Sequence, residues 1–185
     1  ACVGQRESGL FSLRTAAGGM ALKSVLFVCT GNTCRSPMAA ALLKHYAEQA
    51  GIPVEVSSAG LGAFTGDPAT EYAVEVMSEI GLDLKSHRSR KFRAELAEEY
   101  DLILVMTNSH RQYVVEFFPE IADKVHLLLE FSQDQQSRQE LDSEKEKGLE
   151  VSDPFGQSRD VYRQVRDELA QAVQAIVESW INEEE

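Results

Sequence analysis

The sequence predicts one α/β domain in which helices cover both faces of a four-stranded parallel sheet, a three-layer α/β/α arrangement. Short apolar runs alternate along the chain with helix-forming segments, which is the order that parallel strands with helical crossovers require. The runs are continuous rather than alternating in polarity, as expected for strands that are buried on both faces. The length of 185 residues is enough for a single core.

Each of the first two predicted strands is followed by a helix. Residues 24–29 (SVLFVC) form a buried run, and the Ala- and Leu-rich helix after it carries Pro37 in its first turn. Residues 54–60 (VEVSSAG) form the second strand. Asp67, which is followed by a proline, is typical of a helix N-cap, so a helix is predicted from there to about Ile80.

The second half of the chain continues the alternation. A short helix follows the basic stretch KSHRSRKFR, and a helix capped by Asn108 or Ser109 follows the third strand. Apolar residues at helical spacing predict a final helix packed on the core. The predicted ranges are 94–99 for the short helix, 102–106 and 124–130 for the strands, and 108–118 and 158–181 for the later helices.

The chain is acidic, with 30 Asp and Glu against 18 Lys and Arg and a net charge of -12. This balance repels phosphate backbones and anionic lipids, so neither nucleic acid nor a membrane surface is expected as a partner. No apolar stretch approaches the roughly 18 residues of a transmembrane helix. Residues 1–19 show no clear periodicity and are interpreted as a disordered leader or a non-native extension that precedes a domain at 20–185.

The cysteines are few and odd in number: Cys2, Cys29 and Cys34. Such a set does not form a disulfide framework and favours a reducing compartment such as the cytoplasm. Cys29 ends the first predicted strand, and ligands of parallel α/β sheets bind beyond the carboxyl ends of the strands. Cys29 and Cys34 therefore indicate chemistry rather than a structural crosslink.

The segment from Cys29 to Ser36 (CTGNTCRS) joins the first strand to the first helix. A loop wrapped this tightly points successive backbone amides at one centre, and the start of the helix adds its free amides, so an anion site is predicted. Arg35 can bind two phosphate oxygens. Cys29 is the expected nucleophile, because Ser36 and the positive field should lower the pKa of its thiol. Gly31 is expected to supply a positive φ.

The run VCTGNTCRSPMAAALL at residues 28–43 resembles the signature of the low-molecular-weight protein tyrosine phosphatase family, and the similarity extends from about Leu22 to the last helix. The resemblance implies a flavodoxin-like, Rossmann-like fold and a cysteinyl-phosphate intermediate, with no metal or other cofactor. It implies phosphorylated proteins as substrates and inorganic phosphate as product. The phosphate-binding loop that it implies comprises Thr30, Gly31, Asn32, Thr33, Cys34 and Ser36.

The resemblance also implies a general acid and a supporting network. Asp153, within Asp-Pro-Phe-Gly, matches the family's acid, although an isolated Asp-Pro pair usually marks only a turn. Asn32, Ser58 and His87 match a buried network that holds the loop and the serine at its end. By itself His87 would be read as a surface histidine in a basic stretch.

Other positions either keep two interpretations or depart from the family pattern. Cys34 packs the loop or, as the resemblance implies, forms a reversible disulfide with Cys29 that protects the nucleophile. Thr107 stands where many members of the family have an aspartate, so that acid's role is not assigned. His110, close to it, is interpreted as a surface or cleft-rim residue.

Thr33 and Phe155 are the expected determinants of specificity. Thr33 stands where tyrosine-specific members have a bulky aliphatic residue, and the resemblance is strongest to bacterial protein-arginine phosphatases. A guanidinium favours hydrogen-bond acceptors such as Thr33 and Asp153, whereas a tyrosine ring favours an apolar wall. Phe155 and Gly156 replace two tyrosines found in many members, so regulation through those tyrosines is not expected.

Alternative functions remain open at this point. Tyrosine phosphatase activity is the alternative within the same family, and the others belong to different classes. A thiol-coupled arsenate reductase would need further cysteines, and none follows Cys34. An inactive phosphoprotein-binding module is disfavoured by the presence of Cys29, Arg35 and Asp153. A metal site at the two loop cysteines lacks clustered histidines.

Overall fold

The computed structural model describes residues 22–133 and 146–184. The predictions for residues 1–19, and part of the predicted polar segment after 131, lie outside the described residues. The named elements are β1 (Lys23–Cys29), α1 (Arg35–Gln49), β2 (Val54–Gly60), α2 (Glu71–Ser78), α3 (Ala94–Glu98), β3 (Leu102–Val105), α4 (Asn108–Phe117), β4 (Val125–Leu127), α5 (Leu128–Ser132) and α6 (Arg159–Glu184), with 3₁₀ turns at Pro119–Lys124 and Glu146–Leu149.

The four strands form one parallel sheet in the order β2-β1-β3-β4, which confirms the predicted fold class. β1 is central and pairs with β2 from Lys23 opposite Val54 to Cys29 opposite Gly60. On its other side it pairs with β3. Cys29 therefore lies at the carboxyl edge of a central strand, where the chain turns directly into α1.

Alternate residues of β1 pack into two hydrophobic cores on opposite faces of the sheet. Val25 and Phe27 belong to the core under α1, α2, α5 and α6. Leu26 and Val28 belong to the core under α3 and α4. All four side chains are fully buried. Since successive strand residues point to opposite faces, the continuous apolar run is what a doubly covered strand needs.

The structure corrects two predicted element boundaries and one predicted helix cap, each for an identifiable reason. α2 begins at Glu71 rather than at 67, because the backbone of Asp67 pairs with Ser89 through bonds of 2.7 and 2.9 Å. β4 ends at Leu127, where its partner β3 also ends, and the following residues form a helix. Thr107 caps α4 in place of Asn108 or Ser109, with its hydroxyl accepting from the amide of His110.

The final helix extends past the predicted range at its carboxyl end and packs on α1 and α2. The residues expected from their spacing to face the core are buried: Val165, Leu169, Val173, Ile176 and Trp180.

Within residues 22–133 and 146–184, no helix combines the length and the apolar character needed to cross a membrane.

Candidate active site

A cleft of about 210 Å³ opens at the carboxyl edge of the sheet beside β1. Its lining is drawn from two segments that are far apart in sequence, the loop after β1 and the segment before α6. The lining residues are Cys29, Thr30, Gly31, Thr33, Cys34, Arg35, Asp153 and Phe155. The structure thus brings the predicted nucleophile, anion-binding arginine and general acid together around one space.

The sharp turn of the loop is made at Asn32 and not at Gly31. Asn32 has a φ of 56°, whereas Gly31 is not among the residues with positive φ. A left-handed conformation costs a non-glycine residue about 1–2 kcal/mol, and asparagine tolerates it best. The prediction that Gly31 supplies the positive φ is therefore wrong, because local side-chain bonds hold Asn32 in that conformation.

The side chain of Asn32 determines the direction of the hydrogen bonds that reach the nucleophile. The amide of Arg90 donates to Asn32 Oδ1 at 2.9 Å, which fixes Nδ2 as the donor end. Nδ2 donates to Ser36 Oγ at 2.8 Å and to Ser58 Oγ at 2.9 Å. Since Ser36 Oγ accepts there, its own proton is available for Cys29 Sγ, 2.9 Å away.

His87 also reaches Asn32, but through the backbone. Its Nε2 lies 2.6 Å from the Asn32 carbonyl oxygen, so this nitrogen must carry the proton. Burial is the main cause that lowers the pKa of His87, and Arg88 and Arg90 lower it further, while the bond to Asn32 raises it. His87 and Ser58 therefore both hold Asn32, and Ser36 is reached through the Asn32 side chain.

The environment of Cys29 combines strong burial with several donors. Burial raises the pKa of the Cys29 thiol and is the largest influence, whereas the Ser36 hydroxyl and amide, Arg35 and the Asn32 amide lower it. The net direction is upward, contrary to the prediction from the sequence. The loop encloses Cys29, which is 2% exposed. The cost of burying a charged thiolate therefore exceeds the stabilisation that the nearby donors and positive charge give it.

Arg35 connects the loop to the segment that carries Asp153. Its guanidinium is buried, and Nη1 donates to the carbonyl of Val151 at 3.1 Å. Nη2 lies 3.5 Å from Asp153 Oδ2 in an ion pair whose carboxylate is 54% exposed. The amide of Val151 donates to the Met106 carbonyl at the end of β3, which anchors the acidic segment to the sheet.

A tight turn sets the conformation that follows Asp153. The amide of Phe155 donates to Asp153 Oδ1 at 3.1 Å, and the amide of Gln157 donates to the Pro154 carbonyl at 2.9 Å. Gly156 has a φ of 76°, as the third position of a type II turn requires. Phe155 is 66% exposed at the cleft, where its ring is free to meet a bound group.

Cys34 also lines the cleft, and its thiol lies among hydroxyl groups. Its Sγ is 3.5 Å from Thr70 Oγ1 and 3.4 Å from the hydroxyl of Tyr162. The two loop cysteines are free thiols. Thr70 also anchors the loop through its amide, which donates to the Thr33 carbonyl at 3.0 Å.

The sequence did not predict three contacts at the site. Val151 and Glu150 are unremarkable in sequence, yet Val151 holds Arg35 and the Glu150 carboxylate accepts from the Asn108 amide at 2.7 Å. His110 is buried, so its interpretation as a surface or cleft-rim residue is wrong; its Nε2 lies 2.8 Å from Thr30 Oγ1. The sequence signal that could have indicated this contact is the position of His110 in the first helical turn after β3, because the carboxyl ends of the strands form the site.

In the described part of the chain, no group of three or more His, Cys, Asp or Glu side chains is arranged to hold a metal ion.

Comparison with known proteins agrees with this geometry. The family described as low molecular weight phosphotyrosine protein phosphatase matches residues 24–185. A protein-arginine-phosphatase of Bacillus subtilis (strain 168) is 41% identical over 152 residues, which cover 82% of this chain and 93% of the relative. The low molecular weight protein-tyrosine-phosphatase Wzb of Salmonella typhi is 38% identical, over 76% of this chain and 83% of its own length.

Among solved structures, the arginine phosphatase YwlE, as a cysteine-to-serine mutant with a phosphorylated active-site serine, superposes with a TM-score of 0.75 at 40% identity. The match covers 84% of this chain and 94% of the YwlE chain. The chain belongs to the low molecular weight phosphotyrosine protein phosphatase family and is a phosphoprotein phosphatase.

Proposed function

We propose that this protein is a protein-arginine phosphatase that works through a phosphorylated Cys29. The observation that carries the proposal is the single cleft shared by Cys29, Arg35, Asp153 and the hydroxyl-bearing Thr33. The relatives that are named protein-arginine-phosphatase support the substrate class. The phosphorylated active-site serine of the YwlE mutant supports a covalent intermediate at the equivalent position.

In the first step the sulfur of Cys29 attacks phosphorus while the P–N bond to the arginine guanidino group breaks. Asp153 in its acid form gives its proton to the departing nitrogen. Because burial raises the thiol pKa, the dianionic phosphoryl group is expected to take the Cys29 proton on arrival. Arg35 binds two phosphoryl oxygens, and the loop amides and the start of α1 stabilise the charge of the transferring group.

In the second step a water molecule replaces the sulfur on phosphorus. The Asp153 carboxylate takes the proton of the water, the S–P bond breaks, and inorganic phosphate leaves. The Ser36 hydroxyl, 2.9 Å from Cys29 Sγ, stabilises the departing thiolate. As phosphate leaves as the dianion, it returns to the Cys29 sulfur the proton that the phosphoryl group had taken. Each turnover therefore restores both the Cys29 thiol and the acid form of Asp153, with water as the only co-substrate.

Thr33 and Phe155 are proposed to favour phosphoarginine over phosphotyrosine. Thr33 lines the cleft, and its hydroxyl would offer a hydrogen-bond acceptor to a guanidino N–H. Phe155 offers a ring face, which attracts a guanidinium cation. The same ring could stack on a tyrosine, and relatives named as tyrosine phosphatases make phosphotyrosine the second candidate substrate.

Parallel kinetics on two peptides of one sequence, carrying phosphoarginine or phosphotyrosine, test the proposal. We expect a higher kcat/KM for phosphoarginine, and Thr33→Ile should move the preference toward phosphotyrosine. A preference for phosphotyrosine in the unchanged chain would refute the assigned substrate. Asp153→Asn should lower kcat by about 10²–10⁴ with little change in binding, and Cys29→Ser is the inactive control.

Redox protection is proposed for the loop cysteines. A Cys29–Cys34 disulfide would shield the nucleophile from irreversible oxidation. Mass spectrometry after peroxide treatment should find the disulfide in the unchanged chain and over-oxidised Cys29 in Cys34→Ser. Equal over-oxidation of Cys29 in the two proteins would rule out this role.

A further inference from the structure

His110 is a buried histidine that the proposed chemistry does not use, yet it reaches the cleft through one residue. It lies in the first turn of α4 and is 6% exposed. Its Nε2 is 2.8 Å from Oγ1 of Thr30, the cleft-lining residue next to the nucleophile. Its Nδ1 is buried with no hydrogen-bond partner among residues 22–133 and 146–184. All hydrogen bonding of the imidazole ring within that part of the chain is therefore directed at Thr30.

The imidazole is uncharged at neutral pH. Burial is the largest influence and Arg35 adds to it, so that the pKa of His110 falls to about 4, while Asp153 acts in the opposite direction. A neutral imidazole does not repel a cationic guanidinium in the cleft. Among the described residues, Arg35 is then the only fixed positive charge that lines the cleft, and it is placed to bind the phosphoryl group.

Thr30 is held from two sides. Its carbonyl accepts from the Gly62 amide at 2.9 Å, and its hydroxyl is bonded to His110. A hydroxyl has one proton and two lone pairs. Whichever of the two groups donates in the Thr30–His110 bond, at least one lone pair of Oγ1 stays available. Thr30, which lines the cleft, thus carries a hydrogen-bond acceptor whose rotamer is fixed before substrate binds, which lowers the entropic cost of using it.

We infer that Thr30 and His110 form a specificity pair for the nitrogen-bearing side of the substrate. Thr30 accepts a hydrogen bond from a guanidino N–H of phosphoarginine, and His110 is a positioning residue that holds the Thr30 hydroxyl in place. A phosphotyrosine ring has no N–H to offer this acceptor, so the contact discriminates between the two substrates. This inference rests on the proposed arginine phosphatase function and adds a determinant three residues before Thr33 in the loop.

The test is the ratio of kcat/KM for a phosphoarginine peptide to kcat/KM for the phosphotyrosine peptide of the same sequence. Thr30→Val keeps the shape and removes the hydroxyl, and the ratio should fall about three- to tenfold, as expected for one neutral hydrogen bond. His110→Phe should lower the ratio to a similar extent. Combining both substitutions should lower it no further than Thr30→Val alone, because both remove the same contact.

Two further variants separate positioning from general damage. His110→Gln can still bond to the Thr30 hydroxyl and should restore most of the ratio. Thr107→Val is a matched control: it removes the hydroxyl that accepts from the His110 amide at 3.3 Å but leaves the Thr30 contact, so the ratio should stay constant. If His110→Phe does not fold, as judged by circular dichroism, the comparison of Thr30→Val with His110→Gln decides.

An unchanged ratio in Thr30→Val would overturn the inference. Equal losses on both peptides in His110→Phe, with no recovery in His110→Gln, would overturn the positioning role of His110. If the unchanged chain does not hydrolyse phosphoarginine, the proposed function fails and the inference fails with it. If that activity is present and only the ratios are insensitive, the proposed function stands and the specificity pair alone is refuted.

Discussion

Gly60 ends β2 directly against the phosphate-binding loop and has no room for a side chain. A Cβ atom placed on Gly60 would lie 2.6 Å from the Thr30 carbonyl oxygen, and 2.8 Å from both the Asn32 amide nitrogen and Ala63 Cβ. Ordinary carbon contacts lie at about 3.5–4.0 Å, so the loop would have to move by roughly 0.7 Å or more. Two of these three neighbours are backbone atoms of the loop itself, which cannot rotate away.

Gly60→Ala should therefore damage stability and catalysis together. Overpacking of this kind costs about 1–3 kcal/mol, which corresponds to a fall in Tm of about 2–4 °C for each kcal/mol in a chain of this size. Displacement of the loop by about 1 Å should lower kcat on the order of 10²-fold. The measurements are thermal unfolding and steady-state hydrolysis of p-nitrophenyl phosphate.

Gly62→Ala is the matched control, because its Cβ would meet Thr30 atoms only at 3.8 and 3.9 Å. It should change the free energy of unfolding by less than about 0.5 kcal/mol, as is usual for a substitution without steric conflict. If the Gly60 variant proves as stable and as active as the Gly62 variant, the close approach of β2 to the loop is not a constraint and the reasoning fails.

Other predictions address the loop and its support. Ser36→Ala removes the main donor that lowers the Cys29 pKa, so iodoacetamide inactivation should shift to higher pH and slow about tenfold at pH 7; an unshifted profile would contradict this. Asn32→Ala should be less stable in urea than Asn32→Gly by about 1 kcal/mol, because only glycine accepts the φ of 56° freely; equal midpoints would refute strain at this position. Tyr162→Phe removes the hydroxyl next to Cys34 and should lower the free energy of unfolding by about 1 kcal/mol. An unchanged free energy of unfolding would show that this hydrogen bond does not stabilise the fold.

The strands were predictable because their pattern is local. β2 has the predicted bounds, and β1 differs by one residue, since continuous apolar runs report burial on both faces. The end of β4 was not predictable, because Leu128 and Leu129 suit either a strand or a helix and the length of β3 decides where pairing stops. The start of α2 likewise depends on Ser89, which is distant in sequence and pairs with Asp67.

By itself the sequence determined the fold class, the position of Cys29 at the end of a buried strand, and the presence of Arg35 in the loop that follows. These features depend on neighbouring residues, so spacing and composition carry them. Only the tertiary structure decided that Asn32 takes the left-handed turn and that His110 faces Thr30. It also decided that burial outweighs positive charge at the Cys29 sulfur. Parallel strands bring their carboxyl ends to one edge, and the distances and enclosure that arise there are not encoded in any local pattern.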